Sequence, residues 1–168
     1  MDHRLACERL ERLYSAVNAH DAETLASLCS HNVRWNDPAA SQPLCGRQAV
    51  YLFHRDTMFR ALPDVRIEIV DGPYLSLDGT RVAVRSRITG TMTGPLEPPG
   101  FAPTGRRVEF ETGEFSHFDG ELLADHTVVL DMLGLARQIG AVPEAGSRAE
   151  RVGVWLQHVA AYRSRARG

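Results

Sequence analysis

The sequence predicts an α+β domain in which three helices from the N-terminal half cover a curved, mainly antiparallel sheet, with one further helix at the C-terminus. Three observations carry this expectation. Apolar residues recur at helical spacing through the first sixty positions, strict alternation replaces that period after Pro63, and Asp-Gly pairs at 71–72, 78–79 and 119–120 mark turns between the alternating runs. The chain has 168 residues, 43% of them hydrophobic, so it has the size of about one domain. A chain of this length buries roughly two-thirds of its unfolded surface and needs neither disulfides nor a structural metal to fold.

Each element follows in order. Leu5, Leu10, Leu13, Tyr14 and Val17 form the apolar stripe of a first helix, with Glu8, Arg9, Glu11 and Arg12 on its other side. Asp21 has the side chain of an N-cap for a short second helix through Cys29. His31 to Asn36 alternates as a strand that Asp37-Pro38 stops. Ala49, Val50, Phe53, Thr57 and Ala61 give a third helix ending at Pro63. Strands follow around Val65–Ile69, Val82–Ile88, Arg106–Phe118 and Glu121–Leu130. The segment 93–105, with four prolines, suits a restricted loop over a pocket mouth. MLGLARQIG after Asp131 reads as a short helix closed by Gly140, and Val152, Leu156, Val159 and Tyr162 mark a final amphipathic helix.

Composition excludes several chemistries. All 19 basic residues are arginine, so a lysine Schiff base, a pyridoxal-phosphate anchor and the usual phosphate-loop lysine are absent. A net charge of −2 gives no electrostatic case for nucleic-acid binding, and the basic tail Arg163, Arg165 and Arg167 reads as a solvated helix end. Cys7, Cys29 and Cys45 have neither the count nor the spacing of a disulfide framework or zinc site and are expected to be reduced. No stretch approaches the ~20 apolar residues of a membrane span, and the N-terminus lacks a signal core, so a cytoplasmic protein without membrane contact is expected.

A bent sheet roofed by helices leaves a concave pocket for a small apolar molecule, and the polar groups aimed into it decide the chemistry. Asp131 follows the apolar run VVL where a strand turns into a helix. It reads either as a desolvated proton shuttle or as the N-cap of the helix starting at Met132. His126 is a strand-centre histidine, catalytic or simply packed, and His117 is either a substrate-orienting group or a polar residue near a turn. Trp35 and Asp37 suit a flat pocket wall and a polar gate, or a core tryptophan and an Asx-turn. His54, Met58 and Phe59 on the third helix are core residues that also stand as substrate-binding candidates. Glu111 and Glu114 lie on opposite strand faces and form no carboxylate pair. His31, His54, His117 and His126 show no metal-ligand spacing, so no metal is expected.

The stretch FDGELLADHTVVLDMLGLARQIG, the preceding PTGRRVEFETGEFSH, the RWNDPA segment and FRALPDVR resemble the SnoaL-like polyketide cyclases of the nuclear-transport-factor-like superfamily, over roughly residues 5 to 140. The resemblance implies a cone-shaped, mixed or antiparallel sheet around a deep apolar cavity in a domain spanning 1–140, with 141–168 as a helical extension and dimerisation through the sheet. It implies aldol ring closure of a polyketide-type substrate without cofactor, Asp131 serving as general acid/base and His117 assisting. Thr127 departs from the aromatic common at that place. An isomerase or hydrolase on the same scaffold, and a non-catalytic small-molecule-binding protein, are the competing expectations.

Overall fold

The computed structural model describes residues 1–97 and 100–165, with side chains through Tyr162, so the arginines at 163, 165 and 167 lie outside the described side chains. The chain runs α1 (His3–Asn18), α2 (Ala22–Ser27), β1 (Cys29–Asn36), β2 (Leu44–Cys45), α3 (Arg47–Phe53), a π-helical turn (His54–Met58), α4 (Phe59–Ala61), β3 (Arg66–Leu75), β4 (Arg81–Thr91), β5 (Arg107–Asp119), β6 (Leu122–Leu130), α5 (Met132–Gln138) and α6 (Arg148–Arg165). Capping is as the sequence predicts at α2, where Asp21 accepts from Thr24 N at 2.8 Å. The third predicted helix is interrupted by the π turn, and that turn carries His54, Thr57 and Met58.

The described residues form one six-stranded sheet in the order β2-β1-β6-β5-β4-β3. Its β3–β6 portion is the antiparallel meander that the alternation predicts, and β1 joins it parallel to β6, so the sheet is mixed. The side-chain period of two assigns the faces. On β5, Val108, Thr112, Glu114, Ser116 and Phe118 are buried under the helices, whereas Glu109, Glu111 and Phe115 are exposed. Leu10, Leu13 and Tyr14 of α1, Leu25 of α2, Val50 and Phe53 of α3, and Leu135 and Ile139 at the α5 end complete one core with the concave sheet face. This is the α+β cone architecture expected from the sequence.

α5 is hooked to the sheet. β6 ends at Leu130, opposite Thr112, and the side chain of Gln138 takes over beside Glu109: its Oε1 accepts from Glu109 N and its Nε2 donates to Glu109 O, both at 2.9 Å. α6 stands away from the body. Its first turn is tied to α5 by Arg137–Glu150 at 2.7 Å, and Val152, Val154, Trp155 and Leu156 beyond it are more than half exposed. The three cysteines are unpaired, and burial pushes the Cys29 thiol up to about 12, where it is inert. Among the described residues no helix is long and apolar enough to cross a membrane.

Candidate functional site

Between the concave sheet face and the helices lies a cavity of about 90 Å³. Its walls are overwhelmingly apolar, with Leu13, Leu62, Ile88, Met92, Val128 and Ile139 among them. The polar exceptions converge at one end: Tyr14 from α1, Asp37 from the end of β1, His54 from the π turn, Glu114 from β5 and His126 from β6.

Glu114 is the centre of this group and is almost wholly buried. Tyr14 Oη donates to its Oε2 at 2.8 Å, Thr112 Oγ1 donates to its Oε1 at 2.8 Å, and His126 Nε2 lies 3.5 Å from Oε2. Burial alone would push its carboxyl up. The hydrogen bond and charge of His126, with the hydrogen bonds from Tyr14 and Thr112, outweigh burial and hold Glu114 below the usual glutamate range. Burial, and then the neighbouring Glu114 charge, drive the Tyr14 phenol well above its ordinary value, so it stays a donor. His126 is addressed from β5 on both nitrogens, because Ser116 Oγ, on its Cα partner residue, sits 2.9 Å from Nδ1. The Trp35 ring leans on the imidazole of His126 at 4.1 Å between centroids.

Asp37 is positioned by local turn chemistry. β1 stops at Asn36, and Asp37 Oδ1 accepts from Ala39 N at 2.8 Å, the Asx-turn expected before a proline break. Burial raises the carboxyl above its ordinary value; the Ala39 N–H, His126 and Trp35 oppose that rise, and Glu114 adds to it. The Trp35 indole nitrogen is sealed from solvent without a hydrogen bond of normal geometry. Asp37 therefore combines a turn-fixed position with a proton affinity raised above the ordinary carboxylate value, among the few polar groups of a largely apolar cavity.

The structure brings together Trp35, Asp37, His54, Met58 and His126 from the sequence candidates. It places three elsewhere. Asp131 is exposed and lies outside the cavity lining: it follows the last β6 residue on the outward parity, and its Oδ1 caps α5 by accepting from Gly134 N at 2.8 Å. The inward positions of that strand end are taken by Val128 and Leu130. His117 has the outer-face parity of Phe115, between Arg81 and Asp125, because an odd position on β5 turns away from the helices. Phe59 packs behind the site, edge-on to His20 at 5.2 Å and 5.8 Å from His54. Tyr14 and Glu114 join the site from outside the sequence candidates. Both signals are present in the sequence, since Glu114 shares parity with Val108 and Phe118, and Tyr14 lies in the α1 apolar stripe. Among the described residues no group of three or more His, Cys, Asp or Glu side chains converges as metal ligands.

Solved structures share this architecture. TsrD from Streptomyces laurentii is 24% identical, with 84% of this chain and 98% of TsrD covered at a TM-score of 0.69. AclR from Streptomyces galilaeus is 20% identical, with 97% of this chain and 98% of AclR covered, also at 0.69. SalBIII, an epoxide hydrolase/cyclase-like enzyme of pyran ring formation in the polyether salinomycin, is 20% identical, with coverage of 79% and 95% and a TM-score of 0.65. At these identities the likeness concerns the fold. No curated protein matches the sequence significantly. Residues 8–139 match the family described as SnoaL-like polyketide cyclase, and with most of its length inside that match the chain belongs to this family.

Proposed function

We propose that this chain is a cofactor-independent enzyme that closes a ring on a small, apolar or aromatic polyketide-type substrate by aldol chemistry, with Asp37 as the proton carrier in place of the solvent-facing Asp131. The observation that carries the reading is the position of Asp37, fixed by Ala39 in the wall of an apolar cavity with its proton affinity raised by burial. The carboxylate takes a proton from the carbon beside one carbonyl. The resulting enolate carbon attacks a second carbonyl of the same molecule, and the proton returns from Asp37 to the new alkoxide. One carbon–carbon bond forms, no atom is lost, and no other reactant is consumed. His126, held by Glu114 and Ser116, lies close enough to favour the charged form of Asp37. The apolar walls hold the carbon skeleton and exclude water.

The catalytic unit in this reading is 1–140, with 141–168 an appended helical segment, and the protein acts in the cytoplasm. It works as a homodimer that covers the outer sheet face, where Phe115 and Val129 are about half exposed on neighbouring strands. An isomerase or hydrolase would use the same carboxyl, to move a proton along an enone or to activate water against an epoxide. Purified protein incubated with aromatic polyketide esters, enones and epoxides separates these classes by product. Asp37→Asn is expected to abolish product formation while the protein remains folded and binding-competent. Undiminished turnover in Asp37→Asn refutes the assignment, and binding without product from any class identifies a ligand carrier.

A further inference from the structure

His54 is only 3% exposed, yet it stands in the cavity wall among apolar neighbours. Its ring is locked. Nδ1 faces the Val50 carbonyl oxygen at 2.8 Å, and a carbonyl accepts only, so Nδ1 carries the proton. Trp35 stands edge-on at 4.9 Å between centroids, Phe53 at 5.4 Å, and Phe59 closes the third side. The turn beneath it is pinned by Thr57 Oγ1, which donates to Glu97 O at 2.8 Å.

The other nitrogen, Nε2, is left as a bare lone pair. It makes no hydrogen bond with the described residues, and the ring that carries it lines the cavity. Burial pushes the His54 imidazole down to about 4, with the Val50 carbonyl opposing and His126 adding to the drop. It therefore remains neutral at physiological pH. A buried acceptor that a ligand covers without supplying a donor loses its water and gains nothing.

We propose that His54 is the specificity-determining residue of the cavity, its Nε2 selecting ligands that present a phenolic or enolic hydroxyl to the Trp35 end and rejecting the same skeleton with that oxygen capped as an ether. This deepens the proposed function, on which it rests for the premise that the cavity is the ligand site. It adds that the substrate arrives with a hydroxyl donor beside its carbonyl groups. Asp37 is an acceptor in the same cavity, so the assignment to His54 requires removal of the imidazole.

The test is equilibrium binding, without turnover, of 4-ethylphenol and 4-ethylanisole to wild type and to His54→Leu. In wild type the phenol is expected to bind roughly 10- to 100-fold more tightly, the range for an unpaired buried acceptor. In His54→Leu the two affinities converge. Equal affinities in wild type, no binding of the phenol, or an undiminished preference in His54→Leu overturns the proposal, the last assigning selection to Asp37. Should His54→Leu not fold, imidazole ¹⁵N NMR of wild type decides: the Nε2 resonance is expected to shift with the phenol and stay with the anisole, and an unmoved resonance refutes the contact. Failure of the catalytic reading is seen separately, as turnover surviving in Asp37→Asn.

Discussion

Tyr14 on α1 donates to Glu114 on β5 at 2.8 Å, joining the first helix to the sheet interior through a buried, ionised carboxylate. Such a bond contributes about 1.5–3 kcal/mol because its acceptor is charged and shielded from water. Tyr14→Phe keeps the ring and removes the donor. Urea denaturation at pH 7 should show a loss of that size. The Glu114 carboxyl is held below its unfolded value of 4.5, so the stability it supplies is present above that pH and lost as pH falls through the lower folded value. The Tyr14→Phe penalty should shrink in acid, and an equal penalty at both ends of the range would show that Glu114 is not the charged partner.

His54 sets an acid limit of the opposite chemical type. Its folded value of about 4 lies below the ordinary 6.5, so the unfolded chain binds a proton between these values that the folded chain does not. Stability linked to His54 is fully present above pH 6.5 and declines as pH falls toward 4, by about 3 kcal/mol in total. His54→Leu is expected to flatten the stability profile in this window relative to wild type. An identical slope in both proteins would place the titrating group elsewhere.

The sheet and helices were legible because burial on one face writes itself as period, two in β4 and β5 and near 3.6 in α1. The π turn was not legible, since its residues keep helix-compatible composition and the interruption depends on packing around His54. The site was partly legible. Asp37 follows from its turn and Trp35 and His126 from their strands, but whether a carboxylate at a strand end faces the cavity or the solvent turns on one residue of register. That single position separates the inward Leu130 from the outward Asp131. Glu114 was missed because a charged residue in a strand suggests solvent until its partners, Tyr14 from a hundred residues away and Thr112 beside it, are known.

The outward position of Asp131 has a measurable consequence. Its side chain caps α5, and removing a cap costs about 1 kcal/mol. Asp131→Ala should lower thermal stability by that amount and leave ligand affinity unchanged. A loss of binding or turnover out of proportion to the stability change would return Asp131 to the site.

Gln138 occupies the place where β5 outruns β6, and its amide meets the backbone of Glu109 as a further strand would. The same helix end carries Leu135 and Ile139 into the cavity wall, so the amide also sets how firmly that wall is held. Gln138→Leu removes two neutral hydrogen bonds, a cost of about 1–3 kcal/mol. Because the loss falls on one edge, it should appear as local opening before global unfolding. Hydrogen exchange is expected to quicken at the Glu109 amide and through Met132–Gln138, with the β3–β4 pair unchanged. Uniform acceleration across the sheet would instead mean that α5 and the meander open as one unit, and the cavity wall would then have no independent motion for a ligand to use.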